Sequence, residues 1–346
     1  MTTKLPQRTA ARGRLTVSCV GLGCMGMSEF YGATDDAASV EVLREALDLG
    51  VTFFDTADVY GYGHNERLVG RVLKESGRRG SVVLASKCGI LRDEQDPTVR
   101  GVDNSPAYIK AACGRSLDRL GTGIDLYYLH RIAEGGAHIE ASMDAMADLL
   151  AEGKIGHVGL SEASAPVIRR AHARLLERTD GRQGLSAVQT EYSLMSRGPE
   201  QDGVLDACRE LDILFVPYSP IGRGLLTGGI EEAAQLDTTD FRRSLPRFQG
   251  DAMAHNRALV DKVQDMARSH GCTPAQLALA WVLAKGEFIA PIPGTKRSRY
   301  LRENIAAAQV QLSPDDVLTL DTAFSHGAVS GGRYALTAMA AYGLTE

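Results

Sequence analysis

The 346-residue sequence predicts a (β/α)8 TIM barrel that forms a single domain with long active-site loops. Three observations support this fold class. Short apolar runs and segments with helical periodicity alternate about eight times, mostly with short connections. Several apolar runs are hydrophobic throughout, which is typical of parallel strands covered on both faces. The stretch Gly-Leu-Gly-Cys-Met-Gly at 21–26 comes close to a dinucleotide-binding G-x-G-x-x-G motif, but no helix starts there, which weakens the alternative of an open dinucleotide-binding sheet.

Each element has its own local signal. Gly50 ends the apolar stripe of the first helix, where a glycine C-cap is expected. Ser105 and Pro106 place a capping side chain and a first-turn proline at the start of the third helix. The predicted strands are 17–22, 51–55, 82–86, 125–129, 157–160, 187–189, 213–216 and 288–291. The predicted helices are 35–49, 65–76, 106–120, 143–150, 166–176, 203–211, 256–269, 274–284 and 298–308.

Two connections and the C-terminus depart from the repeat. The segments 90–104 and 221–255 are long polar or glycine-rich loops, and 325–346 forms a tail after a barrel core of about 14–324. Loops of this length in a compact domain are usually functional, and in a barrel those that follow strand ends surround the active site. We therefore expect 221–255 and the stretch 327–332 to close over bound ligands as lids.

Composition and charge exclude several classes of protein. The formal charge is −5 and the basic residues are scattered, whereas nucleic-acid-binding domains usually carry a strongly basic face. No apolar stretch approaches the roughly 18 residues of a membrane-spanning helix. The six cysteines form no C-x-x-C pair, and the polar N-terminus lacks the apolar segment of a signal peptide. These features predict a cytoplasmic protein whose partner is a small molecule, with no nucleic acid and no membrane.

Four polar residues follow predicted strands where a barrel forms its active site. Asp55 closes one strand and Tyr60 follows five residues later. Lys87 and His130 close the next two strands. Because the carboxyl ends of barrel strands share one mouth, we expect these four side chains to face it together.

The chemistry of these groups suits proton transfer to a carbonyl oxygen. A phenol with a pKa of about 10 is a weak acid at neutral pH, and a neighbouring ammonium is expected to lower that pKa. Asp55 can balance the charge of Lys87, and a neutral His130 can hold the carbonyl oxygen by a hydrogen bond. We expect Tyr60 to protonate the oxygen while a hydride reaches the carbon.

These residues and their spacing resemble the aldo-keto reductases. The segment FFDTADVYG at 53–61, Ser86-Lys87 and Leu129-His130 match the order and spacing of that family's Asp-Tyr-Lys-His tetrad. The resemblance extends from about Arg14 to about Phe324. It implies an NADP-dependent oxidoreductase that reduces an aldehyde or ketone to an alcohol, with Tyr60 as the general acid.

The resemblance also implies where a nicotinamide cofactor binds. Ser161 and Gln189 correspond to the family's residues that hydrogen-bond the nicotinamide carboxamide. The next residue, often Asn in the family, is Glu162 here. An ionised carboxylate cannot donate a hydrogen bond, so we leave Glu162 out of this set. The loop after the seventh strand resembles the segment whose aromatic side chain stacks on the nicotinamide and which wraps the pyrophosphate; its residues are Tyr218, Ser219, Pro220, Gly222, Arg223 and Gly224.

The last predicted strand leads into a segment that resembles the family's adenosine site, formed by Gly294, Thr295, Lys296 and Arg297. A helix N-terminus beside two cations suits a 2′-phosphate, which favours NADPH (NADP+) and leaves NADH as the alternative. Glu303 and Asn304, further along the helix, are expected to meet the adenine amino group. No metal is expected.

The substrate-pocket candidates have no motif behind them. They follow the first strand or open the loop 90–104, and they are Met25, Met27, Phe30, Tyr31, Ile90 and Leu91. Tyr127 and Tyr128 are instead expected to pack the barrel and its helix shell.

Two other classes of function fit parts of the sequence. One is a nicotinamide-binding barrel without catalytic activity that serves a regulatory partner, as the potassium-channel β subunits that resemble this family do. The other is a metal-dependent barrel hydrolase, which needs His and Asp clusters at strand ends. Only His130 among the eight histidines clearly ends a strand, and the complete tetrad favours the reductase. The motifs specify neither the natural substrate nor the oligomeric state.

Overall fold

A parallel β-barrel surrounded by helices forms the body of the protein in the computed structural model, which describes residues 5–96 and 99–341. In chain order the strands are β1 (Gln7–Ala10), β2 (Leu15–Ser18), β3 (Leu22–Gly23), β4 (Phe53–Asp55), β5 (Val83–Cys88), β6 (Ile90–Arg92), β7 (Arg100–Val102), β8 (Ile124–Leu129), β9 (Ile155–Ser161), β10 (Ala187–Glu191) and β11 (Leu214–Tyr218). Seven of them form one parallel sheet in the order β3-β4-β5-β8-β9-β10-β11.

The eighth side of the barrel is an irregular segment rather than a full strand. Ile289 forms a parallel bridge to Phe215 of β11, and Gly294 forms one to Gly23 of β3, so the segment joins both edges of the sheet. The strand predicted at 288–291 therefore occupies the right place but lacks a regular ladder. Pro291 and Pro293 have no N–H to donate, which explains the interruption. The predicted (β/α)8 barrel is confirmed.

The strand predicted at 17–22 is wrong in its boundaries. This stretch contains the end of β2, which pairs antiparallel with β1, and only the first residue of β3, which belongs to the barrel. Leu15 and Val17 of β2 pack with Phe53 and Tyr128 in the barrel interior, so the β1–β2 hairpin fills one end of it. The apolar run is continuous because both pieces are buried.

Helices cover the outside of the barrel. They are α1 (Asp36–Asp48), α2 (His64–Glu75), α3 (Pro106–Leu120), α4 (Ile139–Ala151), α5 (Ala165–Arg178), α6 (Val204–Glu210), α7 (Gly250–Ser269), α8 (Pro274–Ala284), α9 (Ser298–Ala306), α10 (Pro314–Ala323) and α11 (Leu336–Ala341). The predictions at 106–120 and 274–284 match to the residue. Predicted helices 143–150 and 256–269 begin too late, and α10 and α11 were not predicted.

The long connections contain more structure than the sequence indicates. The predicted loop 90–104 contains the antiparallel hairpin of β6 and β7, although residues 97–98 lie outside the described residues. The predicted loop 221–255 contains several single turns of 3-10 helix and the start of α7. The tail is described as far as residue 341. Among the described residues no helix is long and apolar enough to cross a membrane.

Candidate active site

A cleft of about 810 Å³ opens at the carboxyl ends of the barrel strands. Most of the residues predicted for the site line it: Met25, Phe30, Tyr31, Asp55, Tyr60, Ile90, His130, Gln189, Tyr218, Ser219, Pro220, Arg223, Gly224, Gly294, Thr295, Lys296, Arg297, Glu303 and Asn304. Five predicted residues do not line it: Met27, Lys87, Leu91, Ser161 and Gly222.

Two of these five belong to the substrate-pocket prediction, and the structure does not place them in a pocket. Met27 lies at the end of a single 3-10 turn and is fully buried in the core between the barrel and its helices. Leu91 follows Ile90 in β6, and neighbouring residues of a strand point to opposite faces, so only Ile90 reaches the cleft.

The four tetrad residues meet at the floor of the cleft. Asp55 ends β4, Lys87 lies near the end of the neighbouring β5, and His130 follows β8 with its backbone N–H bonded to Cys88 O at 2.7 Å. The Lys87 ammonium donates to the Asp55 carboxylate, to Thr56 O at 2.8 Å and to the Tyr60 hydroxyl at 3.3 Å. Adjacent parallel strands thus bring an ammonium, its counter-ion and a phenol together.

His130 stands beside the phenol. Its ring lies edge-on to the Tyr60 ring, with centroids 5.7 Å apart and planes at 82°. Burial, followed by the charges of Arg131 and Lys87, lowers the pKa of His130 well below its ordinary value. The imidazole is therefore neutral at physiological pH, and its buried Nδ1 has no hydrogen-bond partner in the described part of the chain.

The pKa of Tyr60 is raised rather than lowered, because burial outweighs the expected effect of the Lys87 ammonium. Burial raises the pKa of Tyr60 well above 10, and the charge of Asp55 raises it further. The charge of Lys87 is balanced by the adjacent carboxylate, and burial lowers the pKa of Lys87 itself while Asp55 raises it. Tyr60 consequently holds its proton throughout the physiological range.

The two residues predicted to hold the carboxamide already have partners. Gln189 Nε2 donates to Asp55 Oδ2 at 2.8 Å, which orients its amide oxygen away from the carboxylate. Ser161 is fully buried at the end of β9, and its hydroxyl accepts from Arg131 Nη1 at 3.3 Å. Gln189 lines the cleft, whereas Ser161 lies behind Arg131.

Two buried carboxylates beside these residues are each paired with an arginine. Glu162 accepts two hydrogen bonds from Arg333, at 3.0 and 2.7 Å, and one from the backbone of Glu191 at 3.0 Å. Glu191 pairs with Arg223 at 2.5 Å, and Arg223 also donates to Arg333 O at 2.7 Å. The guanidinium of Arg223, expected near a pyrophosphate, is thus engaged by a carboxylate.

The far end of the cleft carries the predicted adenosine residues. Lys296 Nζ donates to Tyr31 O at 2.8 Å and to Ala33 O at 2.5 Å, so its ammonium holds the loop after β3. Arg297 is exposed, lies 6.0 Å from the Tyr300 ring and forms no ion pair with the described residues. The helix α9 that follows has no side-chain cap at its N-terminus.

Two loops meet above the cleft. The ring of Phe241, from the long loop after β11, packs edge-on against Phe30 at 5.6 Å and Tyr31 at 5.3 Å. Its backbone N–H donates to Phe30 O at 2.9 Å. The tail contributes Tyr334, whose hydroxyl lies 3.4 Å from that of Tyr218. These contacts are consistent with covering segments at the mouth, but the tail covers it through Tyr334 rather than through 327–332.

Comparison with known proteins identifies the family. The model of the aldo/keto reductase family matches residues 19–324. The chain belongs to the aldo/keto reductase family. It is 43% identical over 325 residues to the aldo-keto reductase yakc [NADP(+)] of Schizosaccharomyces pombe, and the match covers 93% of each chain.

Solved structures agree with this assignment. The thermostable aldo-keto reductase Tm1743, in complex with the inhibitor epalrestat, superposes with a TM-score of 0.71 at 27% identity, covering 92% of this chain and 100% of that one. The holo form of aldo-keto reductase AKR11C1 from Bacillus halodurans gives a TM-score of 0.72 at 28% identity, covering 94% of this chain and 98% of that one.

Several residues at the mouth of this aldo/keto reductase were missed by the sequence analysis. Arg131, Arg242 and Tyr334 line the cleft, and Arg333 of the tail pairs with Glu162, which follows β9. Arg131 directly follows His130, and that adjacency was a usable signal. The tail gave none, because 325–335 contains neither a helical nor a strand period.

Proposed function

We propose that this aldo/keto reductase catalyses the NADPH-dependent reduction of an aldehyde or ketone to an alcohol, with Tyr60 as the proton donor. The observation that carries the proposal is the contact of the Lys87 ammonium with both Asp55 and the Tyr60 hydroxyl, 3.3 Å away, at the floor of a cleft. The name of the Schizosaccharomyces pombe relative, which includes NADP(+), supports the choice of cofactor.

The cleft fits a nicotinamide dinucleotide. It runs from Tyr60 and His130 at one end to Glu303 and Asn304 at the other. Tyr218 lines the inner end and offers a flat ring, and Gln189 offers an amide oxygen that Asp55 does not use. Arg297 and the uncapped N-terminus of α9 are suited to the 2′-phosphate that distinguishes NADPH from NADH.

Each tetrad residue has a physical task. NADPH supplies the hydride that adds to the carbonyl carbon. Tyr60 gives its proton to the carbonyl oxygen, and its high pKa is compatible with this task because the alkoxide that forms is more basic still. The phenolate left behind is met by the Lys87 ammonium, and Asp55 keeps that ammonium charged in a buried site. Neutral His130 is placed to donate a hydrogen bond to the carbonyl oxygen.

The test is NADPH oxidation followed at 340 nm with 4-nitrobenzaldehyde. Tyr60→Phe removes the proton donor and is expected to lower kcat by about 100-fold or more while NADPH still binds. Tyr62→Phe is the matched control, because Tyr62 lies two residues away, does not line the cleft, and accepts a hydrogen bond from Arg92 at 3.2 Å through its hydroxyl. It should retain nearly full activity.

The outcomes separate the candidate functions. Normal turnover by a cofactor-binding Tyr60→Phe variant would remove Tyr60 from its proposed role. NADPH binding by the wild-type protein without oxidation by any carbonyl compound would favour the non-catalytic regulatory barrel. Activity that requires a metal would favour the hydrolase. Among the described residues, no group of three or more His, Cys, Asp or Glu side chains is arranged to hold a metal ion.

We also propose a reducing cytoplasmic location. All six cysteines are unpaired thiols, and Cys272 is partly exposed while the other five are buried. Cell fractionation with a fluorescent fusion tests this location directly.

A further inference from the structure

Arg131 is a buried cation beside the tetrad that the proposed mechanism does not use. It directly follows His130, lines the cleft and exposes only 8% of its surface. Its two hydrogen bonds both leave from Nη1, to His130 O at 2.6 Å and to Ser161 Oγ at 3.3 Å. The buried Nε has no partner. One edge of the guanidinium, formed by Nε and Nη2, is therefore unused.

The other buried arginines at this mouth each have a carboxylate. Arg223 pairs with Glu191 at 2.5 Å, and Arg333 pairs with Glu162 at 2.7 Å. For Arg131, no Asp or Glu oxygen of residues 5–96 and 99–341 lies within the 4.0 Å of an ion pair, and both of its acceptors are neutral oxygens. Glu162 contributes to its electrostatic surroundings, but the Glu162 oxygens are already bonded to Arg333.

A buried guanidinium without a counter-ion is energetically unfavourable, because desolvation of the charge is not offset by an opposite charge. The cleft that Arg131 faces has a net positive lining, so the lining does not supply the missing counter-ion. Three of the six arginines in its described lining, Arg92, Arg223 and Arg242, pair with carboxylates, and the lining carboxylate Asp55 pairs with Lys87. The lining cations that remain without an ion pair are Arg100, Arg131, Lys296 and Arg297, and the one remaining carboxylate of the described lining is Glu303. The missing negative charge must therefore come from a ligand.

The position of Arg131 identifies which ligand. The phosphates of a dinucleotide are expected near the adenosine residues and the loop after β11, and exposed Arg297 lies at that end of the cleft. Arg131 instead lies at the tetrad end, with its guanidinium bonded to the backbone of the histidine that would orient the carbonyl. An anion there would belong to the molecule whose carbonyl is being reduced.

We propose that Arg131 binds a carboxylate of the substrate, so that the preferred substrates are aldehydes or ketones carrying a carboxylate a few bonds from the carbonyl. This inference rests on the proposed function. The Nε–Nη2 edge of arginine presents two parallel N–H groups that match the two oxygens of a carboxylate. Met25, Phe30 and Ile90 line the same cleft and offer apolar contacts to the spacer between the two groups.

The test compares each of the three carboxybenzaldehyde isomers with its methyl ester, which has a similar shape but no charge. For the preferred isomer, the wild-type protein should favour the acid in kcat/KM. Arg131→Met keeps the length of the side chain and removes the charge, so it should lower kcat/KM for the acid by about 10- to 100-fold, mainly through KM. The ester should change by no more than about threefold, because it loses no charge-assisted contact. Arg131→Lys, which keeps the charge but not the paired N–H groups, should recover part of the loss.

Arg100→Met is the matched control, because Arg100 is an exposed cation that lines the same cleft. Its loss should change the acid-to-ester ratio little, since exposed charges are screened by solvent. An unchanged ratio in Arg131→Met, or an equal change in Arg100→Met, would overturn the inference while leaving the reductase function intact.

A binding measurement separates failure of this inference from failure of the proposed function. Benzoate, which cannot be reduced, should bind the NADP+-loaded wild-type protein in calorimetry and bind the Arg131→Met variant at least about 10-fold more weakly. Benzoate binding through Arg131 without NADPH oxidation by any aldehyde would refute the proposed reductase function but retain the carboxylate site. Equal benzoate binding by both folded proteins, as judged by circular dichroism, would refute the site.

Discussion

Replacing Arg333 by methionine tests whether the C-terminal tail is held at the active-site mouth by a buried ion pair. Arg333 and Glu162 are among the most buried ion-paired side chains of the described residues, with 9% and 5% of their side-chain surface exposed. In Arg333→Met, Glu162 keeps one hydrogen bond, from the backbone of Glu191 at 3.0 Å, and loses both bonds to the guanidinium.

The expected loss of stability follows from this geometry. Removing one partner of a buried ion pair typically costs about 3–5 kcal/mol, because the remaining charge stays buried without compensation. The remaining backbone bond places Arg333→Met at the lower end, about 3 kcal/mol. Glu162→Gln with Arg333→Met removes both charges, so the double variant should lose about 2 kcal/mol less than the sum of the single losses.

The assay is urea denaturation of the wild-type protein, both single variants and the double variant, at pH 7 and at a series of lower pH values. Arg333 holds the pKa of Glu162 below its ordinary value of 4.5, despite burial, which raises it. A carboxyl group with a depressed folded-state pKa contributes stability above its unfolded pKa and loses it as the pH falls. The stability difference between wild type and Arg333→Met should therefore be full at pH 7 and shrink below pH 4.5.

Two results would refute this reasoning. One is a loss below about 1 kcal/mol for Arg333→Met, which is the range of an exposed ion pair. The other is strict additivity of the two substitutions, since residues in one buried pair must couple. If the substitution loosens the tail without unfolding the barrel, proteolytic cleavage within 325–341 should become faster. Because Tyr334 adjoins Arg333 and lines the cleft, such loosening should also raise KM for the carbonyl substrate.

Three further outcomes are expected. Arg297→Ala should weaken NADPH binding by about 10-fold or more with little effect on NADH binding. Lys296→Ala should weaken the binding of both cofactors alike, because it releases the backbone of the loop after β3. Fluorescence titration with each cofactor distinguishes the two variants. The rate of carbonyl reduction should not change from about pH 6 to 9, because the high pKa keeps Tyr60 protonated. The rate of alcohol oxidation should rise with pH, because that direction needs the deprotonated phenol. Steady-state pH profiles in both directions check this. Burial raises the pKa of Asp58 from 3.8 to about 8, so the folded protein holds a proton that the unfolded chain releases, and the wild-type protein should lose stability as the pH rises from about 4 to 8. Asp58→Asn removes this dependence, so its stability relative to wild type should rise by about 3–4 kcal/mol between about pH 5 and pH 9, as measured by thermal unfolding.

The sequence predicted the barrel well because its strands are short, apolar and regularly spaced. It failed where residues are buried but do not form regular ladder hydrogen bonds within the barrel sheet. Residues 17–22 are continuously apolar, yet the run is shared between the hairpin β1–β2 and the barrel strand β3. The segment 288–291 is apolar and correctly placed, yet Pro291 and Pro293 prevent a regular ladder. Neither distinction is visible in hydrophobic periodicity alone.

At the site, the sequence predicted the positions of residues that stand at strand ends. It did not predict properties that depend on contacts with residues distant in the sequence. Asp55, Lys87 and His130 meet because adjacent parallel strands end at the same edge. The pKa of Tyr60 could not be predicted in the same way, since its direction depends on how far burial outweighs a nearby charge. The same applies to Arg223, because the carboxylate that positions it, Glu191, ends β10 and lies 32 residues earlier in the chain.

The ion pairs at the mouth separate the charges that hold the structure together from the cations that remain for ligands. Asp55, Glu162 and Glu191 are buried carboxylates at the ends of three strands, and each is neutralised by a cation from elsewhere in the chain. Most of these paired side chains lie behind the lining of the cleft, and because their charges cancel they are not available to a ligand. Four cations that line the cleft have no carboxylate partner in the described ranges: Arg100, Arg131, Lys296 and Arg297. Lys296 is bonded to backbone carbonyls and Arg100 is an exposed residue of β7, whereas Arg131 is buried beside the tetrad and Arg297 stands at the start of α9. The two proposed ligands, a phosphorylated dinucleotide and a carboxylate-bearing substrate, would use Arg297 and Arg131 respectively, with the hydride-transfer site between them.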